Sequence, residues 1–206
     1  MVIKFSRLKS LFAFGVTLCL MLVCSVALGQ TSEAQSLLRA RVEVLGTDIT
    51  GTLILTQREN GVVRIRGTIQ GDPATLTPGL HGLHIHSVGV CEPGAQPPFT
   101  TSGGHFDPGP FGSEVPVQEN HPYHLGDLPN LVVDEMGYAN YNTLTSRVTL
   151  SEGPLSVFDD NGSAIIIHQL TDQQKAGGTA AEAGGGRLAC GVVTREDGSY
   201  QSDDQV

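Results

Sequence analysis

Gly79-Leu80-His81-Gly82-Leu83-His84-Ile85-His86 is the stretch on which the fold turns. In an extended strand, residues two apart share a face. His84 and His86 therefore point one way and Leu83 and Ile85 the other, so two imidazoles converge without a special turn. His81 has the opposite parity and stands off that face. All seven histidines of the chain lie between His81 and His168. His105, His121, His124 and His168 follow the pair, and Asp127 comes three residues after His124. Imidazole is a ligand suited to copper and zinc. Histidines confined to one stretch in this way are the pattern of a metal site built on strands.

Outward from this stretch the chain reads as short strands and turns. Leu38–Val44, Thr50–Thr56 and Val62–Ile69 alternate between apolar and polar residues, and Asn60-Gly61 marks a hairpin between the last two. Leu83–His86, Leu131–Val133, Tyr138–Leu144, Ser146–Leu150, Ala164–His168 and Leu188–Thr194 follow. No segment sustains a helical period, and Gly and Pro are abundant. The pattern predicts an all-β domain, an eight-stranded antiparallel Greek-key barrel or sandwich. Two connections, Ser87 to Asn130 and Gln169 to Gly186, are too long for simple turns. They hold or flank most of the candidate ligands, which marks them as functional loops.

The amino terminus has a different character. Lys4, Arg7 and Lys9 precede an apolar run from Leu11 to Leu28, and Ala27-Leu28-Gly29 offers small residues for cleavage. Residues 1–29 are expected to be a secretory signal peptide; the alternative is an uncleaved anchor, since about 18 apolar residues can just span a bilayer. A polar, flexible lead-in (30–37), one domain (38–195) and a polar tail (196–206) complete the expected organisation. Without the leader the balance is nine basic against 21 acidic residues, net −12 with histidine neutral. That charge argues against nucleic acid and anionic membranes as partners. Cys19 and Cys24 belong to the leader. Cys91 and Cys190 remain, and in an exported chain they are expected to pair rather than stay as free buried thiols. Closing that loop of about 100 residues would add roughly 4–5 kcal/mol in the chain-entropy picture.

Four ordered motifs carry a family resemblance: Gly79 to His86, Gly103-Gly104-His105-Phe106-Asp107-Pro108, His124-Leu125-Gly126-Asp127-Leu128-Pro129-Asn130 and Gly186-Arg187-Leu188-Ala189-Cys190-Gly191-Val192. In this order they resemble the copper/zinc superoxide dismutases over about Leu38 to Val193. The resemblance implies copper bound by His84, His86, His105 and His168. It implies zinc bound by His105, His121, His124 and Asp127, with His105 bridging the two ions as an imidazolate. His81 would be structural, hydrogen-bonded beneath the copper site. Asp172 would accept hydrogen bonds from one copper and one zinc histidine. Arg187 would dock the superoxide anion beside an open copper position, held in place by the Cys91–Cys190 disulfide. Combined with the expected leader, the implied activity is that of an exported enzyme, periplasmic or extracellular, free of the membrane after leader cleavage. It would convert superoxide to dioxygen and hydrogen peroxide by Cu(II)/Cu(I) cycling, with His105 delivering a proton. Both homodimers and monomers are consistent with the resemblance.

The chain departs from the family pattern at two points. Where the family usually places its second zinc histidine, eight residues after the bridging one, this chain has Ser113, and His121 is the candidate in its stead. Ser87 stands where an acidic residue is common, and the second loop offers only Lys175 and Arg187 as cations. A copper-only dismutase or a non-enzymatic copper-binding module on the same fold is the alternative. A zinc hydrolase would need a general base, and no unassigned Asp or Glu sits in a comparable motif.

Overall fold

The computed structural model describes residues 38–108, 124–175 and 179–196. These form nine strand segments and one 3-10 turn, Thr100–Ser102. The strands are β1 (Arg39–Gly46), β2 (Ile49–Gln57), β3 (Val63–Gly71), β4 (Gly79–His81), β5 (Leu83–His86), β6 (Leu131–Val133), β7 (Tyr138–Thr145), β8 (Ala164–His168) and β9 (Arg187–Arg195). Seven make a curled antiparallel sheet in the order β5-β8-β9-β1-β2-β3-β7, and β4 pairs with β6. β4 and β5 are two halves of one strand broken at Gly82. The first half pairs with β6, the second with β8, so eight of the nine predicted segments form, the fourth extended by a short first half, and together they make the eight strands of the expected Greek-key barrel.

Gly82 makes the break possible. Its N–H donates to Leu170 O and its carbonyl accepts from His168 N, both at 2.8 Å. A Cβ there would sit 3.2–3.4 Å from His84, Asp172 and His168. The β2–β3 hairpin turns as expected at Asn60-Gly61, with Gly61 at φ 79°, a conformation that glycine adopts without steric cost.

Ser146–Leu150 is the one predicted strand that does not form. It makes only an isolated bridge, Thr149 to Ser156. Around that bridge Thr149 N donates to Leu155 O and Val157 N to Thr149 O; at its end side chains serve the backbone, Leu150 N and Ser151 N donating to Gln57 Oε1 and Leu150 O accepting from Arg195 Nη1. No neighbouring strand is then needed to satisfy those groups.

Alternation fills the core. Val42, Val44, Leu53, Leu55, Ile65, Ile69, Leu83, Ile85, Ile165 and Ile167 are fully buried in one cluster. Each such side chain contributes about 1.5–3 kcal/mol of burial. β5 and β8 are buried on both faces. Their inner residues join this core, and their outer residues meet described parts of the two long connections, Phe99 on Ala164 and Ile166 and Gly184 against His168. Among the described residues no helix is long and apolar enough to cross a membrane.

Candidate metal centre

The first long connection returns to the strand it left. Phe106 N donates to Ile85 O, Ile85 N to Gly126 O and Gly126 N to Phe106 O, at 2.7–2.9 Å. This irregular ladder sets His105 opposite His86 and Asp127 opposite His84. β8 brings His168 across from Gly82. Four imidazoles thereby gather, each offering a nitrogen within 4.8 Å of the others: His84, His86, His105 and His168. His105, His124 and Asp127 form a second such group, so His105 belongs to both. His121 lies outside the described residues.

The hydrogen bonds decide which nitrogen each ring leaves open. His86 Nδ1 donates to Gly103 O at 3.0 Å, and His168 Nδ1 to Gly185 O at 3.1 Å. Their Nε2 atoms then face each other across 3.3 Å. His84 is turned the other way: its Nε2 donates to Asp172 Oδ2 at 2.9 Å, and its Nδ1 is buried without a hydrogen-bond partner. An orphaned buried acceptor is costly unless something electrophilic meets it. A ring whose second nitrogen is fixed by a carboxylate or carbonyl is the arrangement metal-binding histidines adopt. The donor set therefore fits a metal that favours imidazole.

On the other side, His105 Nδ1 lies 2.6 Å from Asp127 Oδ1. His124 Nδ1 lies 3.3 Å from Asp127 Oδ2, and His124 N–H donates to the same oxygen at 2.9 Å. Nitrogen and carboxylate oxygen converging in this way suit zinc, and the remaining nitrogen of His105 faces the first group.

Burial and charge set the protonation. Burial pulls the His86 pKa down to about 2 and that of His168 to about 3, helped by neighbouring imidazoles and Arg187. Burial also lowers His105, partly offset by its bond to Asp127. His124 is raised by Asp127. For Asp127 burial alone would raise the pKa, but the hydrogen bonds from His105 and His124 hold it well below the carboxylate range. Asp172 is lowered in the same balance, burial against the bonds from His84 and Gln174 N. Burial thus favours the neutral form of His86, His105 and His168, and the hydrogen bonds favour the ionised form of Asp127 and Asp172, the forms that bind metal.

Arg187 is the cross-strand neighbour of His168. Its Nη1 donates to Phe99 O (2.7 Å) and Ser102 Oγ (2.9 Å), and its Nη2 to Gly103 O (2.7 Å). Cys91 and Cys190 are bonded to each other, tying the segment that receives these bonds to β9. His81 is 2% exposed, with its ring nitrogens 2.8 and 2.7 Å from the carbonyl oxygens of His168 and Thr77.

Three participants lay outside the sequence reading. Two are backbone acceptors, Gly103 O and Gly185 O, which no side-chain pattern reveals. The third is Asn130. It sits in a quoted motif, and its amide makes two 2.9 Å bonds to the backbone of Asp172, one in each direction.

A Greek-key barrel carrying two adjacent nitrogen- and carboxylate-donor groups that share one histidine defines a class of metal-binding β-barrel. Within it the chain belongs to the copper/zinc superoxide dismutase family, whose model matches residues 49–193. Among solved structures it is similar to the clock protein EA4, at 28% identity and TM-score 0.56, over 76% of this chain and 93% of that one. It is also similar to a double mutant of a SOD-like protein from Bacillus subtilis, at 28% identity and TM-score 0.59, over 74% of this chain and 95% of that one.

Proposed function

We propose that this chain is an exported copper- and zinc-dependent superoxide dismutase. The observation that carries the reading is the ring of four imidazoles, three with their far nitrogens fixed by Asp172, Gly103 O and Gly185 O and the fourth, His105, with its far nitrogen on Asp127. When bound, copper at His84, His86, His105 and His168 supplies a one-electron couple, and zinc at His105, His124, Asp127 and His121 supplies a fixed positive charge. His86 and His168 offer neutral, desolvated lone pairs. Asp172 keeps His84 in the tautomer whose Nδ1 is free to ligate. Arg187 presents a fixed cation beside His168 and draws a small anion toward the ring. His105 is the ring that would take and release the proton peroxide needs: its Nδ1 stays on the Asp127 side, where zinc would be held, while its other nitrogen turns to the substrate side. The disulfide and the leader-like start support export.

A copper-binding module without dismutation is the second reading, favoured by similarity to proteins described as a clock protein and as SOD-like. Protein purified, loaded with copper and zinc and assayed for superoxide decay, beside His168→Ala, separates the two. Rapid decay lost in the variant is expected. Metal uptake without decay in the parent protein would leave the second reading standing.

A further inference from the structure

We infer that the outer face of β1, β2 and β3 is a binding surface for an acidic polysaccharide. Four of the nine basic residues that follow the leader stand on this one face: Arg39, Arg41, Arg64 and Arg66. The register sets them in two rows. Arg39 lies across from Thr56, which lies across from Arg64; Arg41 lies across from Ile54, which lies across from Arg66. Alternation sends all four away from the core, whose neighbours on these strands are Ala40, Val42, Val63 and Ile65. Arginines two apart on one strand stand about 7 Å apart, and those on β1 and β3 about 10 Å apart. The result is a flat grid of guanidinium groups on a protein whose overall charge is strongly negative, so the cations are segregated rather than scattered.

The grid is partly engaged. Arg41 pairs with Glu43, Arg39 with Glu196 at 2.9 Å, and Arg64 Nε donates to Asn142 Oδ1 at 3.0 Å. Arg66 is exposed and makes no hydrogen bond or ion pair with the described residues. Exposed ion pairs are weak, so an incoming sulfate or carboxylate can displace Glu43 or Glu196. Guanidinium forks match such groups in two-point contacts. Between and beside the rows lie Thr52, Thr56, Thr68 and Asn142, which suit sugar hydroxyls. Neither row carries an aromatic ring on which a nucleobase could stack. None of the metal-centre residues lies on these strands, so the surface is independent of dismutation.

The test uses the full mature, metal-loaded protein. Binding to dextran sulfate, polygalacturonate and neutral dextran is measured by titration at low and physiological salt. The two acidic polymers separate sulfate from carboxylate recognition, and neutral dextran is the blank. Expected is saturable binding to at least one acidic polymer, weakened by salt. A loss of tenfold or more is expected in Arg41→Gln/Arg66→Gln, with less than a twofold change in Arg58→Gln at the β2–β3 turn. Should the double variant fold poorly, Arg66→Gln alone serves, since its side chain has no partner among the described residues; at least a threefold loss is expected. The proposal is overturned by equal binding of variant and parent, or by no binding at low salt. It is overturned equally by tighter binding to phosphatidylglycerol vesicles or duplex DNA, or by sedimentation showing that the face is covered by a second copy.

Discussion

The guanidinium of Arg187 and the imidazole of His86 donate to one atom, the carbonyl oxygen of Gly103, at 2.7 and 3.0 Å. The guanidinium proposed to draw the anion and a ring of the candidate metal centre are thus joined through a single peptide. Arg187→Gln removes the cation and loosens that peptide. The dismutation rate is expected to fall roughly tenfold or more, equivalent to about 1.4 kcal/mol, with stability lower by about 1–3 kcal/mol. Arg187→Lys should keep part of the rate but not the fork geometry. Rapid-kinetic superoxide decay and denaturant titration measure the two effects. An unchanged rate in the Gln variant removes Arg187 from the docking role.

Among the described residues Asp172 is the group holding His84 Nε2. Asp172→Asn should weaken copper binding roughly 10–100-fold, read by competition with a chelator of known affinity. Asn130→Ala, which frees only the backbone of Asp172, should shift it in the same direction by less. Equal copper affinity in all three proteins would show that the carboxylate is ornamental to the site.

Acidification should destabilise the metal-free protein. His86 and His168 have folded pKa values of about 2 and 3, below the ordinary value of 6.5. Below pH 6.5 the unfolded chain binds the protons first, so stability falls as pH drops toward 3. Asp127 and Asp172, both lowered, extend the loss as the pH passes below the unfolded carboxylate value. His124, raised by Asp127, acts in the opposite sense: its contribution is present below 6.5 and lost above its folded value. His86 and His168, with Asp127 and Asp172 beside them, outweigh the single His124 and give a net fall. A melting temperature measured between pH 7.5 and 4 should decline throughout; a rise on acidification contradicts the assignment of neutral buried rings.

Long-range steering should be weak. In the second loop Lys175 is paired with Glu182; Arg187 stands beside His168 and Arg147 near His124, two cations on a protein of net negative charge. With a Debye length of about 8–10 Å near physiological ionic strength, added salt should change the catalytic rate by less than about threefold. A steep fall with salt would falsify this.

Much of this was legible because strand parity is a strict rule. His84 and His86 could only share a face, and the two long connections run from 87 to 130 and from 169 to 186 as the Gly and Pro content implied. The signal failed where side chains replaced backbone partners. Ser146–Leu150 alternates like a strand, yet Gln57 and Arg195 take the hydrogen bonds at its end. Gly79–His81 was too short to stand out as its own strand. The acceptors Gly103 O and Gly185 O are peptide atoms, identical in every residue, and only folding gives them a role. Asn130 was visible in its motif, but its two bonds to Asp172 span 42 residues, beyond the reach of local pattern.

Three of the four ring histidines, His84, His86 and His168, ride on paired strands packed over the core, whereas His124 and Asp127 ride on a connection. One half of the centre is therefore rigid before any ion arrives, and the other is shaped in part by its occupant. Ions should exchange unequally, the loop-borne one leaving first under a chelator while the barrel-borne one lingers. Refilling the loop-borne group should then restore its ion without refolding the barrel.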